Sequence, residues 1–323
     1  MILDIARHKF IEGISTMLVI AIAALVANDG LAYNIAPTAP VGKLIDSFAA
    51  DHAILSTILA ALLFITSATI LARATLRSGI YTINTLATMS LTAVILAITT
   101  HHAGMLTSLV VATLTIEGVA RLLRCLKSSR QQHYLFTAML AIGTLPLIDS
   151  ALLSVTIIAP LLAIFVTHST RGLITCIAGL LLPLTTYCYV MWCMGDSFAA
   201  SATMLWNNML QPSSQHLHDI VGYEHFIFSA LILLAATLSL IYRYTQQISV
   251  HRATRHAWNI LFATGILLSF VLMLLPSTSA TSIIVIYIVV TPILPLFFQR
   301  VPTVFAILMY VILLINMVLI LLK

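Results

Sequence analysis

Residues 14 to 43 read "ISTMLVIAIAALVANDGLAYNIAPTAPVGK", an uninterrupted apolar run that breaks at Asn28 into a segment holding two glycines, two prolines and a Tyr-Asn pair. The first half carries no charge and is long enough to be the core of a membrane-crossing helix. Its flank, Arg7, His8 and Lys9, resembles a signal sequence, but Ile14 to Ala27 ends without a small-residue cleavage site, so it reads as an uncleaved first helix. The second half cannot continue that helix, because its prolines remove backbone donors and its glycines favour turns.

The pattern recurs along the whole chain. Of 323 residues, 61% are hydrophobic and 8% charged, against roughly 25% charged in an ordinary soluble domain. Crossing about 30 Å of hydrocarbon takes roughly 20 residues at 1.5 Å each. Apolar windows give eleven spans, about 11–27, 53–72, 81–99, 105–121, 134–148, 151–167, 172–193, 226–242, 257–275, 281–298 and 303–322. The reading is an all-α polytopic membrane protein, one transmembrane helical domain over residues 1–323, with no soluble domain left over.

Basic residues near helix ends concentrate on the cytoplasmic side. With the N-terminus inside, thirteen of the fifteen Lys and Arg residues fall in inner loops, and only Lys43 and Lys323 do not. Any missed or invented helix would scramble that pattern downstream. Asp29, Asp46, Asp51, Asp149, Asp196, Asp219 and Glu224 fall outside. The net charge of +5 is therefore topological, and scattered basic residues without an aromatic-rich stripe argue against nucleic-acid binding.

Two outer segments are long, 28–52 and 194–225. In the second, Phe198, Ala202, Leu205 and Met209 recur at helical spacing beside Trp206, the pattern of a helix lying in the interface plane. Cys125, Cys176, Cys188 and Cys193 form no CxxC or paired metal spacing and read as thiols in apolar surroundings.

Few residues carry chemistry. Glu117 lies inside a span, with Arg121 at i,i+4, which reads either as a local ion pair near the cytoplasmic edge or as a proton or ligand site. His101 and His102 sit at an outer turn; as neighbours they point in different directions, so a metal would need a third ligand from elsewhere. Asp149, in "GTLPLIDSALL", divides two short apolar stretches behind Gly143 and Pro146. It reads either as a cap for the following helix or as a group exposed to a cavity by broken helices. In "TPILPLFFQRVP", residues 291–302, prolines should kink or shorten the tenth span. No phosphate loop, nucleophile elbow, HExxH or Cys/His cluster occurs.

The order of first helix, outer segment "DGLAYNIAPTAPVGKLID" and further spans resembles the GT-C class of membrane glycosyltransferases, whose first outer loop often reads Gly-x-x-Tyr-x-Asp followed by a proline-containing stretch. Gly30, Tyr33, Pro37 and Pro40 match. Residues 135–165 are similar to the pair of short helices those enzymes carry after a basic inner loop, here "RLLRCLKSSRQQH". The chain as a whole resembles polytopic inner-membrane proteins of bacteria that share this layout. The resemblance implies a GT-C-like bundle in the inner membrane acting on a polyprenyl-phosphate sugar or similar envelope precursor at the outer face, catalytic or as a degenerate relative.

It also implies an acidic catalytic residue in the first outer loop. Where that acid would fall, two after Tyr33, this chain has Ile35, and Asp29 and Asp46 are the nearest replacements, Asp46 on a short helix from Val41 to Phe48. Tyr33, Asn34, Lys43, His101, His102 and Asp149 are the accompanying substrate-binding candidates. Such transfer needs a carboxylate to deprotonate the acceptor and cations to meet the departing phosphate. With so few cations outside, a divalent metal would be required, although no ligand set for one is evident. The rival reading is a non-enzymatic membrane component, a transporter or a subunit holding membrane-protein partners, and the former predicts repeats and midplane polar groups.

Overall fold

A computed structural model describes residues 10–27, 39–78, 87–100, 105–126, 131–167, 169–210, 223–245, 259–261, 263–268, 280–300 and 303–322. All described secondary structure is helical. The order is α1 (Phe10–Ala27), α2 (Pro40–Asp51), α3 (Ala53–Ser78), α4 (Ala87–Thr100), α5 (Met105–Cys125), α6 (Gln131–Gly143) and α7 (Leu145–Ile148). After a 3-10 turn (Ser150–Leu152) come α8 (Leu153–Thr167), α9 (Thr170–Cys193), α10 (Phe198–Leu210) and α11 (Tyr223–Thr245). A short helical segment, Asn259–Leu268, precedes α12 (Ala280–Val290), a 3-10 turn (Thr291–Ile293), α13 (Leu294–Arg300) and α14 (Thr303–Leu321).

Among the described residues five helices are long and apolar enough to cross a membrane: Ala53–Ser78, Met105–Cys125, Thr170–Cys193, Thr281–Phe298 and Val304–Leu321. The chain is thus an all-α, multi-pass membrane protein in its composition and helix lengths. Burial sorts these helices. The apolar windows of α5 and α12–α13 are 67% and 89% buried, those of α3 and α9 only 28% and 22%. Every residue of α4 is buried. Hence α4, α5 and α12 form the centre, while α3, α9 and α14 turn bare apolar side chains such as Ile58, Ile174 and Phe305 outward, as a membrane solvent permits.

Lipid tails supply no hydrophobic drive between helices, so packing and interhelical hydrogen bonds must hold the bundle. Ser67 and Thr113 share a 2.7 Å hydrogen bond between α3 and α5, and Ser229 bonds the Tyr287 hydroxyl between α11 and α12. At the α6–α9 crossing the backbones nearly touch. A Cβ on Gly143 would lie 2.6 Å from the Leu180 carbonyl oxygen, and one on Gly179 would lie 2.8 Å from that of Phe136.

The helix breaks fall at the residues that cannot sustain a helix. Thr291–Ile293 is a 3-10 turn between α12 and α13, where Pro292 and Pro295 each withhold a donor from the ladder. The C-terminus of α9 closes with Gly195 at φ +110°, the Gly195 N–H bonded to the Trp192 carbonyl and the Asp196 N–H to that of Met191. That is a Schellman motif, and it reverses the chain so that α10 packs on both α9 and the Ser150–Leu152 turn. Residues 198–210 are helical as their spacing predicts, but among the described side chains of α10 the buried ones are Ser201 and Leu205, while Phe198 and Trp206 are exposed.

The four cysteines are free. Glu117 and Arg121 form the local i,i+4 ion pair at 2.5 Å, each side chain about one-third exposed. That is the surface-edge reading of the two, and such pairs contribute little, about 0.3–0.5 kcal/mol.

Candidate functional site

The sequence "PVGKLID" builds α2. Pro40 occupies its first turn, where a missing N–H costs nothing. Val41, Ile45, Phe48 and Ala49 then lie on one face and pack on the core, leaving Lys43, Leu44 and Ser47 exposed. This is the short helix expected around Asp46, extended to Pro40–Asp51. It lies against α3, α5 and α7.

Asp46 is half-buried on that packed side, and Thr107 donates its hydroxyl to Oδ1 at 2.5 Å. Burial pushes the Asp46 carboxyl above its usual value of 3.8, with the Thr107 hydrogen bond pulling it partly back. The group therefore sits where a proton is exchanged more readily at higher pH than by an exposed aspartate.

Asp149 lies at the neighbouring break. The 13-residue α6 and the four-residue α7 lead into it, with Thr144 between them. Asp149 is 8% exposed. Its Oδ1 accepts from the Ala151 N–H at 3.0 Å, capping the 3-10 turn. Its Oδ2 accepts from the Thr281 hydroxyl at 2.5 Å, tying the turn to the start of α12. The capping expectation holds, and the carboxylate also bridges two distant parts of the chain.

These contacts gather the helix starts at one end. Asp46 precedes α3 and bonds the first turn of α5, α2 rests on α7, and Asp149 follows α7 and bonds the first turn of α12. The last turns of α3 and α5 carry Arg77 and Arg124 and form the other end. Asp46 and Asp149 thus lie at the end of the bundle opposite Arg77 and Arg124.

Of the sequence candidates, the structure brings Asp46 and Asp149 to adjoining elements and leaves Lys43 exposed one turn from Asp46. Asp29, Tyr33, Asn34, His101 and His102 lie outside the described residues. Among the described residues no group of three or more His, Cys, Asp or Glu side chains could hold a metal.

Thr107 and Thr281 escaped the sequence reading because threonine in an apolar helix usually bonds the carbonyl four residues back, as Thr92, Thr99 and Thr115 do. In the first turn no such helical carbonyl exists. Thr107 and Thr281 are the third and second residues of α5 and α12, and their hydroxyls turn to carboxylates instead. A threonine in the first turn of an apolar helix was the available signal.

No protein-family profile matches the chain, and no curated protein or solved structure gives a significant match.

Proposed function

We propose that this chain is an inner-membrane protein of bacteria, with eleven spans and a cytoplasmic N-terminus, that transfers sugar from a polyprenyl-phosphate carrier at the outer face in the manner of the GT-C class. The observation that carries the reading is Asp46, a half-buried carboxylate on a surface helix, held by Thr107 with its affinity for a proton raised by burial. A general base operates best when its pKa is moved toward the working pH.

In this mechanism the Asp46 carboxylate accepts the proton of an acceptor hydroxyl. The acceptor oxygen bonds the anomeric carbon as the bond from that carbon to the phosphate oxygen breaks, and the lipid phosphate leaves with the electron pair. Lys43, exposed on α2 one turn before Asp46, faces the departing phosphate. Asp149 holds α7 and α12 together beneath the acceptor.

The test is Asp46→Asn in the native host. The expected result is loss of the glycan product by about 10²- to 10⁴-fold, the usual contribution of a general base, with membrane abundance unchanged. Unaltered glycan in an Asp29→Asn, Asp46→Asn double variant would instead identify a non-enzymatic membrane component.

A further inference from the structure

The Ser67–Thr113 bond fixes how α3 and α5 face each other. At 3.6 residues per turn, Leu63, Ile70 and Arg77 lie about 40–80° to one side of Ser67 around α3, and all three are half-exposed or exposed. On its other side Phe64, Ala68 and Thr75 are buried. On α5, Thr113 turns to α3, and a Cβ on Gly118 would touch Ile142 of α6. In the arc of about 140° between those two contacts stand Val110, Leu114, Glu117, Arg121 and Arg124, each half-exposed. Because α3 and α5 run in the same direction, the two arcs lie on one side of their contact. They form a groove with α5 as its floor and α3 and α6 as its walls.

That groove is apolar along its length and basic at one end. Arg77 comes ten residues after Ser67 and Arg124 eleven after Thr113, about 15 and 17 Å at 1.5 Å each. Both stand in the last turn of their helices, at one level of the bundle. Glu117 is the one acidic residue of α3, α5 and α6, and Arg121 neutralises it. Among the described residues Arg77 and Arg124 have no acidic partner. The hydroxyls beside the groove are already satisfied, that of Thr66 by carbonyls of its own helix and that of Thr113 by Ser67 and the Leu109 carbonyl. From Arg77 back to Leu63 the wall runs about 21 Å, more than the roughly 15 Å of hydrocarbon in one leaflet.

We infer that this groove holds an anionic phospholipid, its phosphate between Arg77 and Arg124 and one acyl chain laid along α5 toward Val110. Guanidinium pairs with phosphate in a bidentate geometry. Two such cations at headgroup level, unanswered by any carboxylate among the described residues, complement a head of net negative charge. The ammonium of a zwitterionic head would stand against them. An acyl chain forms no hydrogen bonds, so it suits a groove whose hydroxyls and ion pair are engaged with one another. The inference is independent of the proposed transferase and of the compartment that the arginine end faces.

The experiment uses the purified full chain in phosphatidylcholine nanodiscs, doped with one photoreactive probe at a time: phosphatidylglycerol, phosphatidylethanolamine or phosphatidylcholine, each with the same diazirine-bearing acyl chain. Phosphatidylglycerol is expected to label saturably on peptides of α3, α5 and α6. It should half-saturate at a mole fraction roughly thirtyfold below that of the other two, about fivefold from each arginine. Unlabelled phosphatidylglycerol should displace it, and inorganic phosphate should not. Arg77→Gln combined with Arg124→Gln should erase the preference, whereas Arg171→Gln, which removes an exposed arginine of α9 outside the groove, should leave it intact. Equal labelling by the three probes, displacement by inorganic phosphate, label confined to the bare faces of α9 and α14, or an equal loss from Arg171→Gln would overturn the site. Mapping on the natural chain needs no variant, so a misfolded double variant leaves the test decisive.

Discussion

Asp46 shows how one residue sets function against stability. Its carboxyl is raised above 3.8 by burial, so the native state binds the proton more tightly than the unfolded chain. The stability gained by protonation is full below the unfolded value and is lost as pH rises through the native one. At pH 7 the charged group is therefore a cost, and Asp46→Asn removes it while its Oδ1 can still accept from Thr107. A melting temperature at pH 7 at least equal to that of the natural chain is expected, with the difference closing as the pH falls toward 3.8, together with loss of the glycan product. Thr107→Val takes away the bond that lowers the pKa, so the acidic limb of the activity profile should move to higher pH. Asp149 has the opposite role. Thr281→Val strips a donor from a carboxylate oxygen that is nearly inaccessible, and thermal unfolding should report a loss of about 1.5–3 kcal/mol.

Among elements, the turns and crossings are more specific than the helices they join. The Cβ of Gly195→Ala would meet nothing within 4 Å, so its cost is conformational alone. About 1–2 kcal/mol is expected from φ +110°, with α10 losing its seat on the 150–152 turn and Leu205 becoming more accessible to labelling. At the α6–α9 crossing, Gly143→Ala and Gly179→Ala each drive a methyl into backbone, an overpacking cost of about 1–3 kcal/mol. Gly118→Ala meets only the flexible Ile142 side chain at 3.1 Å and should be the mildest of the three. Denaturation of the three variants under one condition checks the order. The sequence displayed the apolar helices, because apolar length is a direct physical requirement of the bilayer, and among the described residues five of them reach that length. It displayed the prolines that divide α12 from α13 equally well. It concealed the α6–α9 contact, since a glycine in an apolar helix looks the same whether it faces lipid or another backbone.

At the scale of the whole molecule, among the described residues, Asp46 and Asp149 lie at one end of the bundle and Arg77 and Arg124 at the other. Asp46 and Asp149 were legible as the acidic residues interrupting apolar runs, and the expected short helix placed Asp46 on a packed face. Their convergence was not legible. It depends on α2 folding back over a break 100 residues further on, and on two first-turn threonines indistinguishable by sequence from those that bond their own helices. The central claim is that this carboxylate end faces outward. Site-directed labelling tests it directly, with Lys43→Cys and Arg77→Cys introduced singly into a chain whose exposed Cys193 is replaced by serine. In intact spheroplasts treated with a membrane-impermeant maleimide, the account predicts that Lys43→Cys is labelled and Arg77→Cys is labelled only after the membrane is opened. The reverse order would contradict it.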